Sequence, residues 1–199
     1  HNALGTLHPV LITGLPMPFG PEPPQLLKQR FLYQGRKFAF EANRLRLPNA
    51  AEGEWECVRH PGGAMAVPIT NDGKLVLVKQ YRFTAKGRIL EFPAGTIEPG
   101  EDAATTIERE IQEETGYCAQ RWQKLGEFFV APGYSDEIIY AFLAQDLELL
   151  ENPPETDIDE DLSTVLMTIA EVEAAIYTGE ICDAKSICGF FLAKAVLTK

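Results

Sequence analysis

One stretch, residues 95–117, reads GTIEPGEDAATTIEREIQEETGY and constrains this chain more than any other. On a helix of 3.6 residues per turn, Glu110, Glu113 and Glu114 stand at i, i+3 and i+4, so their carboxylates project from one face. Like charges at that spacing cost a helix roughly 0.2–0.5 kcal/mol per pair. A solvated face would interleave lysines, yet Arg109 is the segment's only base. Stacked hard oxygens are explained if a hard cation neutralises them. Mg²⁺ is the usual guest of a few carboxylates working beside substrate phosphates.

The order of fixed residues, Gly95, Glu101, Arg109, Glu110, Glu113, Glu114 and Gly116 with apolar Ile111 and Tyr117, resembles the Nudix box. Seven fixed residues at roughly 6–7% usage each make a chance match in this length of order one in a million. The resemblance implies a hydrolase that splits a nucleoside diphosphate linked to another group. It also implies an α/β (α+β) fold, with a mixed sheet sandwiched between helices.

Composition sets the outer bounds. The 199 residues suffice for one domain with a core, or a domain with an appendage. A net charge of −11 argues against a nucleic-acid or anionic-membrane surface, which would need basic stripes. The implied substrates are themselves anionic, so metal ions and a few placed arginines must do the attracting. Cys57, Cys118, Cys182 and Cys188 form no CxxC pair and read as reduced thiols of a cytoplasmic protein. No apolar run reaches membrane-spanning length, and no signal peptide is visible.

Along the chain, Pro16, Pro18, Pro21, Pro23 and Pro24 predict an irregular lead-in. Residues 28–47 read as a hairpin turning at Gln34-Gly35, and 54–59 as a further strand. These pieces hold too little apolar surface to fold alone. Residues 1–60 are therefore read as an extension and small β subdomain that docks on the catalytic domain (61–199) or on a second subunit. Apolar strands at 64–69 and 75–80 flank Thr70-Asn71-Asp72-Gly73, a turn with hairpin chemistry. A strand at 89–92 precedes the box helix, whose first turn is expected to hold Glu101 and Asp102 and whose stop is Gly116. Further strands are expected at 122–130, 138–144 and 162–168. A capping box at Thr168 and Glu171 opens one helix, and Asp183 caps a last one with Ile187, Phe190, Phe191 and Leu197 on its apolar face.

Glu110, Glu113 and Glu114 are the expected metal ligands, Glu110 and Glu114 lying one turn apart. By resemblance the backbone carbonyl of Ala94 joins them, with Mg²⁺, or Mn²⁺ in its place, at more than one ion per site. Glu101 is expected to orient Arg109 or to support the site through water, and Arg109 to hold the carboxylates in place. The runs Gln80-Tyr81-Arg82, Glu91-Phe92-Pro93-Ala94-Gly95 and Pro132-Gly133, with Ser135 and Glu137 following, are similar to the ADP-ribose pyrophosphatase branch. That likeness implies hydrolysis of ADP-ribose to AMP and ribose 5-phosphate. Substrate-binding residues would be Arg82 on the diphosphate, Glu91, Pro132, Gly133, and Glu137 near the terminal ribose. Glu113, Glu114, Arg109 and a general base from the acidic loop, Glu160 with Asp159, Asp157 and Glu155 as rivals, would carry catalysis. The branch also implies a homodimer that exchanges N-terminal strands, with Phe31 or Tyr33 available to stack on adenine. A hydrolase of another nucleoside diphosphate sugar, such as a GDP-hexose, and a non-catalytic nucleotide sensor are the alternatives. A sensor would be expected to lose box carboxylates, and none is lost.

Overall fold

A computed structural model describes residues 22–154 and 161–197. The proline-rich lead-in up to residue 21, and Glu155, Asp157, Asp159 and Glu160, lie outside the described residues.

Strands β1 (Gln25–Gln34), β2 (Ala39–Arg46) and β3 (Glu52–Arg59) form an antiparallel sheet of their own, in the order β1-β2-β3. It meets the rest of the protein at the end of β3. Val58 N donates to Tyr134 O at 2.8 Å, Arg59 pairs with Asp136 at 3.0 Å, and His60 N donates to Asp136 Oδ1 at 2.8 Å. Leu26, Phe31, Leu32 and Tyr33 of β1 are each more than half exposed. The apolar side chains of β1 are thus left largely uncovered, whereas Ala39 of β2 is buried.

The remainder is layered. β4 (Gly63–Pro68) pairs antiparallel with β7 (Ala94–Thr96) and parallel with β9 (Ile138–Leu149), which in turn carries β8 (Tyr117–Phe129). β5 (Lys74–Arg82) lies between β6 (Gly87–Glu91) and β10 (Leu162–Thr168) in a second sheet. Apolar residues alternate between two cores because both faces are covered by helices. Ala64, Ala66, Val76 and Phe142 pack with Ile107 and Ile111 of α1 (Ala103–Thr115). Met65, Val67, Leu75, Leu77 and Leu143 pack with Val172 and Ala175 of α2 (Ile169–Thr178) and with Phe190 and Ala193 of α3 (Ala184–Leu197). The result is the expected α/β/α sandwich. At Gly189 an added Cβ would lie 2.4 Å from Met65 Cε, so the glycine lets α3 lie close against β4 and a larger residue there would displace the Met65 side chain.

Helix ends follow local chemistry. The Asp102 side chain accepts from Thr105 N, Gly116 closes α1 at φ 72°, and the Thr168–Glu171 capping box opens α2. Glu101 and Asp102 are not in the first turn of α1: Asp102 is the cap itself and Glu101 precedes it. β4 and β5 do not pair as a hairpin. The Thr70–Gly73 turn forms, with Gly73 N donating to Thr70 O at 2.9 Å, but only Ile69 and Leu75 bridge before the strands part into different sheets. β8 starts directly after the α1 cap, five residues earlier than expected. Phe191 is 40% exposed and lies off the buried face of α3, where Phe190 sits with Ala193 and where Ile187 and Leu197 also pack against the core.

Candidate active site

α1 buries Ile107 and Ile111 beneath it, and this turns Glu110 and Glu114 inward at the edge of β7. Burying the two isoleucines contributes about 1.5–3 kcal/mol each, and this anchors the helix face that carries the two carboxylates. Glu110 and Glu114 are 8% and 4% exposed. Glu114 Oε2 accepts from Ala94 N at 3.1 Å. Glu110 rests against the Cα of Gly95, where an added Cβ would stand 1.8 Å from Oε1. The box glycine is therefore a cradle for a carboxylate.

Arg109 spans the cluster. Its Nη1 donates to Glu110 Oε1 and to Glu113 Oε2, both at 2.9 Å, and its Nε and Nη2 hold Glu101 at 3.1 and 3.2 Å. Glu101 is tied in turn by Thr106 Oγ1 at 2.9 Å. The hydrogen bond to Glu101 is the main cause that raises the Arg109 pKa above its ordinary value, with Glu110 and Glu113 adding to it. Among the described residues no three carboxylate, histidine or cysteine side chains converge on one point. Glu110 and Glu113 converge instead on one nitrogen of Arg109, whose charge balances theirs here.

These groups line a cavity of about 1070 Å³ between α1, β7 and the β1–β2 turn. Gln34, Arg36, Lys37, Phe38, Arg59 and His60 form its opposite wall, so the N-terminal sheet brings cations to the acidic site. Gln80, 6% exposed, also lines it, and its Oε1 has no hydrogen-bond partner among the described residues. A buried acceptor left open at a cavity wall is what a ligand or its bound water would satisfy.

A second cavity of about 380 Å³ shares His60, Arg82, Ala94, Gly95 and Thr96 with the first. Arg82 stands at the junction, its Nε and Nη2 held by Glu91 at 3.1 and 2.6 Å. Burial works against its charge, but Glu91, with Glu114 and Asp183 behind it, outweighs burial and raises its pKa. Glu91, 3% exposed at its side chain, also accepts from Lys185 Nζ at 3.1 Å, and so serves as the anchor of Arg82. Lys185 reaches Asp183 at 2.9 Å, and Asp183 caps α3 through Ser186 N at 3.0 Å. Ser186 Oγ accepts from Phe92 N at 2.9 Å, which pins α3 to the end of β6. Glu137 lines the second cavity with His60 Nδ1 3.7 Å away, whereas Pro132 and Gly133 are exposed and line neither cavity. Phe31 and Tyr33 line neither; Phe38 is the aromatic at the first cavity, its ring 6.2 Å from that of His60.

The NUDIX domain profile matches residues 59–188. The chain belongs to the Nudix family. It is 36% identical over 155 residues to an ADP-ribose pyrophosphatase of Bacillus subtilis, which covers 78% of this chain and 84% of that protein. It is 37% identical over 161 residues to a methanol dehydrogenase activator of Bacillus methanolicus, over 81% of this chain and 87% of the other. The crystal structure of an ADP compounds hydrolase superposes with a TM-score of 0.76 at 26% identity, covering 88% of this chain and 94% of that one. The molecule described above is thus a Nudix hydrolase, and Nudix hydrolases generally work with divalent metal ions.

The Nudix site fits such an ion by its donors. Glu110, Glu113 and Glu114 supply hard oxygens, and the buried carboxylates beside Gly95 call for positive charge. Asp183, Lys185 and Ser186 were missed as site residues, because Asp183 showed only a helix cap and Glu91 lies more than ninety residues upstream. Burial opposes the charge on Asp183, but Lys185 and Ser186 outweigh it and hold its pKa below the ordinary value. A depressed carboxylate stabilises the fold above its unfolded pKa of about 3.9, and that contribution is lost as pH falls through the lower folded value. Asp183→Asn is therefore expected to lower the thermal midpoint at pH 6–7, with the deficit shrinking toward pH 3. Unfolding scans across that range would read it; a constant deficit would contradict it.

Proposed function

We propose that this Nudix hydrolase splits the pyrophosphate bond of ADP-ribose with Mg²⁺, releasing AMP and ribose 5-phosphate. The observation that carries the proposal is the pairing of walls around one cavity: buried box carboxylates on α1, and Arg82 at the junction with the second cavity. A diphosphate between them would meet Arg82 at Nη1, the nitrogen that Glu91 leaves open among the described residues. Mg²⁺ held by Glu110, Glu113, Glu114 and the Ala94 carbonyl would neutralise charge on the phosphoryl oxygens. Arg109 and Glu101 keep the carboxylates oriented. Water adds to one phosphorus, the bond from that phosphorus to the bridging oxygen breaks, and the proton of the attacking water passes to a base, for which Glu160 remains our choice. The Phe38–His60 pair supports a nucleobase on the N-terminal side, and Glu137 supports a sugar in the second cavity. The relatives named for ADP-ribose and ADP compounds agree with an adenosine diphosphate substrate.

We further propose that residues 1–60 form the dimerisation unit. The exposed apolar residues of β1 support it, since a two-fold partner would bury them. Light scattering at micromolar concentration should give twice the chain mass of 22.1 kDa; a monomer would remove the dimer. For the substrate, a panel of nucleoside diphosphate sugars assayed with Mg²⁺ and with Mn²⁺ decides the matter. ADP-ribose is expected to show the highest kcat/KM, and preference for a GDP-hexose would overturn the assignment. Arg82→Ala should raise KM for ADP-ribose roughly 10- to 100-fold with kcat far less affected, the scale of a hydrogen bond to a charged group.

A further inference from the structure

Arg82 cannot grip an anion well if Glu91 cancels its charge. The pair is bidentate and Glu91 is almost fully buried, so taken alone the couple is neutral, although the Arg82 side chain stays 37% exposed. Lys185 changes that balance. Its ammonium, 14% exposed, lies 3.1 Å from Glu91 Oε2, the same oxygen that Arg82 Nη2 reaches at 2.6 Å. Asp183 holds Lys185 from the other side at 2.9 Å, and is itself fixed by Ser186 Oγ at 2.6 Å and by its place before α3. A chain of charges, Asp183–Lys185–Glu91–Arg82, thus runs from the start of α3 to the wall of the active cavity.

We propose that Lys185 is a positioning residue for substrate binding, sharing Glu91 with Arg82 so that the guanidinium is aimed and still attractive to a diphosphate. This inference rests on the reading of Arg82 as the diphosphate grip. Removing the ammonium leaves Glu91 buried with Arg82 as its sole remaining cation among the described residues, and Arg82 is drawn toward it. Nothing in the box carboxylates changes, so the chemical step is spared.

The test is a cycle of variants assayed on ADP-ribose with Mg²⁺. Lys185→Gln keeps a donor for Glu91 and removes the charge; it should raise KM about tenfold with kcat within threefold of the parent. Lys185→Arg, which restores the charge, should return KM to within about threefold. In an Arg82→Ala background the Lys185→Gln change should alter KM less than twofold, because its target is gone. Circular dichroism and a thermal scan on each variant separate a folding defect from a binding one. A loss of thermal midpoint with KM unchanged overturns the proposal, as does a fall in kcat in place of the rise in KM. Full additivity with Arg82→Ala overturns it too, since Lys185 would then touch substrate itself. If Arg82→Ala leaves KM untouched, the reading of Arg82 fails and this inference falls with it. If only Lys185→Gln is silent, the inference alone fails.

Discussion

Glu114→Gln is expected to lower kcat by roughly 100-fold or more, the scale on which one electrostatic contact in a preorganised site is felt. The substitution is nearly isosteric. A glutamine oxygen can still accept from Ala94 N, the contact that Glu114 Oε2 makes at 3.1 Å, so the β7–α1 junction survives. What disappears is one negative charge from the oxygen set that would hold the cation. Thermal midpoint should therefore stay near the parent value while turnover collapses. Metal titration followed by calorimetry should show weaker Mg²⁺ or Mn²⁺ binding in parallel. Unchanged turnover would remove Glu114 from the metal site.

Gly95→Ala is expected to damage the site by a different route. Its Cβ would lie 1.8 Å from Glu110 Oε1 and 2.1 Å from Cδ, distances at which something must move. Glu110 is 8% exposed and tied to Arg109 Nη1, so it cannot swing aside without breaking that contact. Overpacking of this kind costs about 1–3 kcal/mol. For a chain of this length that corresponds to a fall of roughly 2–10 °C in thermal midpoint. The expelled carboxylate should also cost at least tenfold in kcat, as loss of a group that orients or binds the metal does. Full activity with an unchanged midpoint would mean that the cradle is not required.

Features set by nearby residues were legible in the sequence. Asp102, Gly116, and the Thr168–Glu171 pair each satisfy groups within a few residues, and their helices begin and end where those side chains dictate. Glu110, Glu113 and Glu114 share a face by helical geometry alone, and Arg109 reaches two of them, Glu110 and Glu113. The fate of β4 and β5 was not legible. Ala64, Met65, Ala66 and Val67 are apolar on both faces, so no alternation records which sheet they join. That choice is made by α1 on one side and by α2 and α3 on the other. The same holds for the second cavity. Asp183 could be recognised as a cap, but its partnership with Lys185, Glu91 and Arg82 joins two segments that only the packed fold brings together. Residues 132 and 133 line neither cavity, and what the motif could not show is that their loop hands Tyr134 O and Asp136 to the N-terminal sheet.

The most direct measurement is product analysis of ADP-ribose incubated with the purified chain and Mg²⁺, resolved by chromatography, with an EDTA-treated sample alongside. AMP and ribose 5-phosphate should appear in equal amounts, and EDTA should abolish both. Intact ADP-ribose after prolonged incubation with Mg²⁺ or Mn²⁺, or products that form equally well in EDTA, would contradict a metal-dependent ADP-ribose pyrophosphatase site on α1.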